Sequence, residues 1–417
     1  MNPTQSFVLA SVVALVPTSV AISGEPVTSL VGIGSMPGGG PGQITATNAT
    51  GSVVVGSAAS ISGIQGFVWT EETGVIGVGD LPGGDFYSVV TDVSDTGFVF
   101  CGESNDETGR RAFRLTLEDG MTALGEGHGT GGIDVLNVVA ISDDGSIIWG
   151  NGDSPSQLLT PFRWTESTGT LEFPFPLLEG YVKDADGDGT RAVGFDYFYN
   201  TAWGSSGVGT FFHDHGEPNE SSAEGVSADG EFIVGSWEPQ RNSNDANAFS
   251  WQEGVGNVDL GRLPGHRFAV ARAVSADGGV IVGMSRGNSV TTEKAMIWTP
   301  EDGMHSLAYV LINNYGLDLG GWQLKDAVDV SHDGRVIVGN GINPDGENEG
   351  FIVTLGSQVA RCPGDCDESG TIDFGDLIAM LFEFGESDAL ACDTDASGVV
   401  DFHDLVAALF LFGPCDS

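Results

Sequence analysis

The chain has 417 residues, with 58 Asp and Glu against 15 Lys and Arg, for a formal net charge of −43. A surface this acidic repels nucleic acid and anionic lipid, so neither is an expected partner. It suits a soluble protein, divalent cations or a saline setting, and its 64 glycines fit a chain full of tight turns.

Residues 7–22 form the one long apolar stretch, too short and too broken by Pro17 for a membrane span. Ser19 and Ala21, or Ala21 and Ser23, follow at the spacing of a signal-peptidase site, although no Lys or Arg precedes the stretch. The segment 1–23 is therefore read as a cleaved secretory signal, and the mature protein as extracellular or held at the cell surface.

From residue 27 to 356 one block recurs seven times: a polar turn closed by Gly, a hydrophobic run, then Gly again five residues on. The pairs are Gly51/Gly56, Gly97/Gly102, Gly145/Gly150, Gly189/Gly194, Gly230/Gly235, Gly278/Gly283 and Gly334/Gly339. Their spacing runs from 41 residues (Gly189 to Gly230) to 56 (Gly278 to Gly334), a period that marks an array of equivalent units. Each copy offers four short strands. In the sixth they are Ala269–Ser275, Val280–Val282 after a primed hairpin turn at Asp277-Gly278, Lys294–Thr299, and a fourth opening at Gly303. Gly283 marks a place where neighbouring backbone comes close.

Four strands per copy, repeated radially, specify a β-propeller blade. The seventh copy stops at its third strand, Phe351–Leu355, while Val27–Gly32 resembles a stray fourth strand. The expected fold is all-β: a seven-bladed β-propeller closed by its N-terminal strand, since closure hides sheet edges. An open solenoid would not need complementary incomplete ends. Leu307–Leu319 is expected to hold one short helix. In the fourth copy Thr210-Phe211-Phe212-His213 is taken as a degenerate third strand, and no fourth strand is evident. Cys101 stands where other copies carry Val or Trp, so it is read as a small core residue.

Two motifs in the propeller region could bear chemistry. Asp184, Asp186 and Asp188 have the spacing of a calcium loop, but Ala192 and Phe195 would stand at its ninth and twelfth positions, so a solvated turn is the better reading. His213-Asp214-His215 could present two imidazoles on one strand face for zinc, yet it falls at a strand position that aromatics fill elsewhere. No nucleophile-elbow, zinc-protease or phosphate-loop motif stands in a fitting context.

The last segment, 361–417, is more specific. Asp365, Asp367, Ser369, Thr371, Asp373 and Asp376 occupy positions 1, 3, 5, 7, 9 and 12 of a loop, with Gly370 at position 6. Asp393, Asp395, Ser397, Val399, Asp401 and Asp404 repeat the pattern 28 residues later, with Gly398 at the turn. Alternating oxygen donors, a Gly for the sharp bend and a carbonyl at position 7 are what calcium requires, so two calcium ions are expected. Ile372 and Val400 at position 8 could pair the two loops. Each loop runs into an apolar helix, with Asp376 and Asp404 near its start, where negative charge is favourable. Cys362, Cys366, Cys392 and Cys415 lie in this segment and suggest two disulfides in an exported chain. Three connectivities are open, and Cys362–Cys415, which would staple the ends, is preferred.

Two resemblances follow from these residues. Over 27–356, Ala112-Phe113-Arg114, the two Ser-Ala-Asp-Gly turns at Ser227 and Ser275, Leu81-Pro82-Gly83-Gly84 and Gly321-Trp322-Gln323-Leu324 resemble the HAF-repeat family of extracellular proteins. That resemblance implies an exported repeat protein without an assigned enzymatic activity. The duplicated loop–helix segment, with Asp at position 12 and no helix before either loop, resembles the cysteine-bearing dockerin-like modules, type I dockerins included. That implies calcium-dependent docking to a surface or secreted protein, with Phe374, Gly375, Phe402 and His403 at the partner-contacting positions 10 and 11. These are not the small hydroxyl pair of cellulosomal dockerins, which argues against a cohesin partner. The sequence thus points to a secreted binding or display propeller, with a glycan or protein ligand, docked through its C-terminal module. The alternative is a polysaccharide-degrading enzyme or its accessory, docked in the same way.

Overall fold

The computed structural model describes residues 27–124, 134–154, 157–172, 180–196, 201–206, 209–212, 220–239, 245–289, 292–357, 364–366, 371–384, 392, 394 and 399–414. Residues 1–23, read above as a secretory signal, His213-Asp214-His215, Cys362 and Cys415 lie outside them.

The propeller region consists of seven four-stranded antiparallel sheets. Six are each built from four consecutive strands, starting at Gly42, Gly83, Asp134, Gly180, Ser221 and Phe268. The seventh joins Gln323–Val330, Val336–Ile342 and Asn348–Thr354 to Ser29–Gly32 from the other end of the chain, with Ser29 opposite Thr354 and Gly32 opposite Phe351. The molecule is an all-β propeller with few helices. No helix among the described residues is long and apolar enough to cross a membrane.

The repeat works as a packing unit. In six copies, a Cβ added to the second Gly would press on the carbonyl of the facing inner strand and on the third-strand apolar residue. At Gly102 it would stand 2.0 Å from the Val89 carbonyl and 2.8 Å from Phe113. At Gly283 it would stand 2.0 Å from the Val270 carbonyl and 2.9 Å from Met296. Here the missing side chain lets a buried Phe or Met lie across the sheet, and Phe67, Phe113, Phe162, Phe249 and Phe351 are all fully buried. Cys101 is likewise buried and unbridged, and burial pushes its thiol well above the usual range.

The turn differs from the one expected. In the sixth copy Gly278 N–H donates to the Ser275 carbonyl three residues back, so Gly closes a four-residue turn and does not stand at its centre. Ser275 Oγ donates to Asp277 Oδ1 and accepts from Val280 N–H. The same side-chain clamp recurs at Ser142/Asp144, Ser227/Asp229 and Ser331/Asp333. The Asp is thus a turn brace, which is why Ser-x-Asp-Gly repeats.

The fourth sheet also corrects the sequence reading. Its third strand is Thr201–Ser206, and Gly209–Phe212 is the fourth, paired with it. Phe211 and Phe212 mimic the third-strand aromatic block, which misled the assignment by one strand. The expected helix is Leu307–Asn313, capped by Ser306, and it buries Leu307, Val310 and Leu311.

Candidate functional site

The residue after each repeat's first polar turn residue lies on the innermost rim of the ring. Backbone hydrogen bonds link these positions from sheet to sheet: Asp95 N–H to the Asp143 carbonyl, Asp143 to Gly187, Gly187 to Ala228, Ala276 to His332, and His332 to Ala49. The last of these joins the seventh sheet to the first. Four of the seven rim positions are Ala or Gly; Asp95, Asp143 and His332 carry functional groups.

These three converge. One ligand atom from each lies within 4.8 Å of the other two, and His332 Nε2 is 3.6 Å from Asp95 Oδ1. The Asp143 carboxylate lies over Gly187, where a Cβ would come within 2.3 Å of Oδ2. Partial burial, reinforced by the Asp95 charge, raises the Asp143 pKa to about 6, while His332 opposes the shift.

Three further carboxylates are set into the wall two residues before each turn begins. Asp92 Oδ2 accepts from Ile141 N–H of the next sheet, Asp184 Oδ2 from Val226 N–H, and Asp329 Oδ2 from Thr47 N–H. Each also accepts from its own following N–H. The intervening sheets carry Ala46, Ala140, Gly225 and Ala273 at this register. Acid and small residues therefore alternate almost regularly round the inner wall. Enclosure raises all three carboxyls, Asp184 to about 7 and Asp329 to about 6, with the N–H donors pulling the other way. No ion pair to any of the three is found among the described residues.

The Asp184/Asp186/Asp188 triplet does not converge on a point. Asp184 reaches the fifth sheet, Asp186 braces Arg191 N–H, and Asp188 accepts from Thr190 N–H. A separate cleft of about 600 Å³ lies between the first and seventh sheets, lined by Trp69, Glu71, Glu72, Val31, Ile352 and Thr354 among others.

In the C-terminal segment, Asp373 and Asp401 cap the helices Phe374–Phe382 and Phe402–Phe410. Asp376 Oδ2 accepts from Asp373 N–H, and Asp404 Oδ2 from Asp401 N–H, each at 2.7 Å, so both helix starts are reciprocal capping boxes. Asp404 Oδ1 also accepts from Thr394 N–H, ten residues back, drawing the loop closed. Both position-12 carboxylates are fully buried. The described donors are all oxygens, from Asp365, Thr371, Asp373 and Asp376 in the first loop and Val399, Asp401 and Asp404 in the second; that chemistry fits calcium. Asp367, Ser369, Asp393, Asp395 and Ser397 lie outside the described residues.

Cys366 and Cys392 are bridged. Ile372 and Val400, expected to join the two loops, meet through their side chains and not through a backbone ladder among the described residues. Thr371–Ile372 bridges Gly413–Pro414, while the Ile372 and Val400 side chains share one small core with Met380, Cys392 and Ala408. That core leaves much apolar surface outside. Phe374 and Phe402 are 69% and 67% exposed, and Phe382 and Phe410 are both 86% exposed. His403 stands in the open, with Nδ1 3.1 Å from Asp401 Oδ1.

Sequence reasoning missed the rim cluster. The signal was present in the repeat itself: the second residue of the turn is Ala or Gly in four copies and a metal-ligating type in three.

No family model matches the chain, and no curated protein does. Solved structures do. Oligogalacturonate lyase from Vibrio parahaemolyticus superposes with a TM-score of 0.52 at 9% identity, covering 80% of this chain and 98% of the lyase. The β-propeller domain of the Trilobed protease from Pyrococcus furiosus gives 0.48 at 12% identity, covering 76% of this chain and 95% of that domain. At such identities the likeness is one of fold.

Proposed function

We propose that the chain is an exported, non-catalytic binding or display protein: a seven-bladed propeller, sealed by its N-terminal strand, carrying a calcium-dependent docking module. The seventh sheet, completed by Ser29–Gly32, supports the ring. The observation that carries the docking reading is the duplicated apolar face. Exposed Phe374, Leu381, Phe382 and Phe384 on the first loop–helix unit recur as Phe402, Leu409, Phe410 and Phe412 on the second, with nearly equal exposure. So large an uncovered apolar surface on so small a unit suits a protein partner. Asp365, Thr371, Asp373 and Asp376, and Val399, Asp401 and Asp404, would hold two calcium ions that fix the geometry of that face. The HAF-repeat and dockerin-like resemblances agree with this reading.

A polysaccharide-active enzyme docked in the same way is the second reading, and the fold shared with an oligogalacturonate lyase is compatible with it. The test compares the full chain with a Phe382→Ser/Phe410→Ser variant, each immobilised with calcium and with chelator, against secreted and surface proteins of the source organism. A defined partner held by the wild type only with calcium, and lost in the variant, supports docking. Equal capture by both, or none, defeats it. Release of reducing sugar from a polysaccharide panel would favour the enzyme.

A further inference from the structure

We propose that Asp95, Asp143 and His332 form a binding site for a divalent first-row transition metal at the inner rim of the propeller. The site goes beyond the docking function and does not depend on it.

The geometry comes first. Metal–nitrogen and metal–oxygen bonds are about 2.1 Å, so ligand atoms round a tetrahedral ion stand about 3.4 Å apart. His332 Nε2 and Asp95 Oδ1, at 3.6 Å, already have that separation; all three candidate ligand atoms lie within 4.8 Å of one another, so closure onto an ion needs side-chain movement of about 1 Å. The side chains come from the second, third and seventh sheets, far apart in sequence. Their backbones are tied into the rim by the Asp95–Asp143, Asp143–Gly187 and His332–Ala49 hydrogen bonds. The three ligands thus stand on short turns whose backbones are hydrogen-bonded to one another round the rim, which limits how far they can move apart.

Two independent features support a cation. The Asp143 carboxylate lies over Gly187, where a Cβ would meet it, so the glycine leaves the carboxylate room in its place beside Asp95. In addition, Asp92, Asp184 and Asp329 line the same wall without an ion pair among the described residues, each held by backbone N–H donors alone. Enclosed negative charge without a counter-charge is costly, and a cation at the rim offsets it.

The ligand chemistry sets the class of ion. Two carboxylates alone would suit calcium or magnesium, but an imidazole favours zinc, cobalt, nickel or manganese over both. Three protein ligands leave coordination positions open to the lumen, as in sites that take water or a small anion.

The test uses untagged, full-length protein with millimolar calcium present to occupy the oxygen-rich C-terminal loops. Cobalt(II) is titrated and followed by its visible absorption and by calorimetry. The expected result is one cobalt per chain, lost or weakened at least tenfold in His332→Ala and in Asp143→Asn, and unchanged in the exposed neighbour Asp144→Asn. His332→Gln, which keeps the rim backbone, serves if the Ala variant misfolds, and thermal melts report folding throughout. Absence of cobalt binding, or unchanged affinity in both ligand variants, overturns the site. Loss in a His213→Ala/His215→Ala variant with full retention in His332→Ala would assign the metal elsewhere and equally overturn it.

Discussion

Gly51, in the first repeat's turn, lies against Val336, in the last repeat's second strand: a Cβ on Gly51 would stand 2.4 Å from that of Val336. The same relation holds from sheet to sheet, with Gly97 on Val53, Gly145 on Val99 and Gly334 on Val280. The contact between the first and last sheets is therefore of the same kind as the internal ones. Gly51 also has φ of 71°, the left-handed region. Gly74, with φ of 62° and nothing within 4 Å, shares the backbone constraint without the contact. Gly74→Ala should cost about 1 kcal/mol for its backbone conformation. Gly51→Ala should cost a further ~1–3 kcal/mol for overpacking. Urea unfolding of the two variants measures the difference; equal losses would mean that the first and last sheets are not tightly joined.

The second repeat glycine makes a stronger case. Gly102→Ala would drive a methyl against the Val89 carbonyl and the Phe113 ring, and neither has a flexible end that could yield. The expected loss is about 3 kcal/mol or more, since both strand spacing and core packing must shift. Gly109→Ala, at a hairpin with open space around it but φ of 123°, should cost about 1–3 kcal/mol through backbone strain alone. Chemical denaturation of this pair separates packing from backbone strain.

These contrasts show what the sequence made legible. The period, the strand count per repeat and the role of the second Gly could be read directly, because a close approach of backbone admits one residue type. The fourth sheet could not: Phe211 and Phe212 satisfy the aromatic pattern of a third strand, and only hydrogen-bond pairing places them in the fourth. The rim cluster was hidden for a different reason. Asp95, Asp143 and His332 each occupy a turn position with no steric demand of its own, and their convergence exists only once the ring brings the second, third and seventh sheets together. In the C-terminal segment the duplicated loop–helix unit could be read from its 28-residue repeat, but the bridge of Ile372 to Gly413 could not, because a two-residue pairing has no periodic signal.

The inner-wall carboxyls predict an inverse pH dependence of stability. Enclosure raises Asp184 to about 7 and Asp329 to about 6 in the folded protein, and raises Asp92 as well, from an ordinary value of 3.8. Between the unfolded and folded pKa values the native state holds more protons than the unfolded chain, so stability falls as pH rises through that window. The exposed turn acids Asp144, Asp188 and Asp277 shift the other way, chiefly through side-chain hydrogen bonds with Ser146, Thr190 and Ser275, and act below pH 4. The propeller should therefore melt at a higher temperature at pH 5 than at pH 8. Asp184→Asn should flatten part of that slope, at the cost of weakening one of its two backbone contacts, about 1–2 kcal/mol. A melting temperature that climbs steadily from pH 5 to 8 would mean that the N–H donors outweigh enclosure.

The C-terminal loops make a stoichiometric prediction. Asp376 and Asp404 occupy equivalent, fully buried positions, each holding the N–H of its own helix cap. As twelfth-position ligands, each should serve one ion independently, so calorimetric titration of the full chain should give two calcium equivalents. Asn keeps an acceptor for the capping bond but removes the charge that a hard cation requires. Asp376→Asn and Asp404→Asn should each reduce the count to one, and the double variant to none, while His332→Ala leaves it at two. Chelator should lower the stability of this segment and spare the propeller, whose seven sheets are formed by strands between Ser29 and Thr354. Two equivalents retained in either single variant would show that the twelfth position is a helix-capping brace alone.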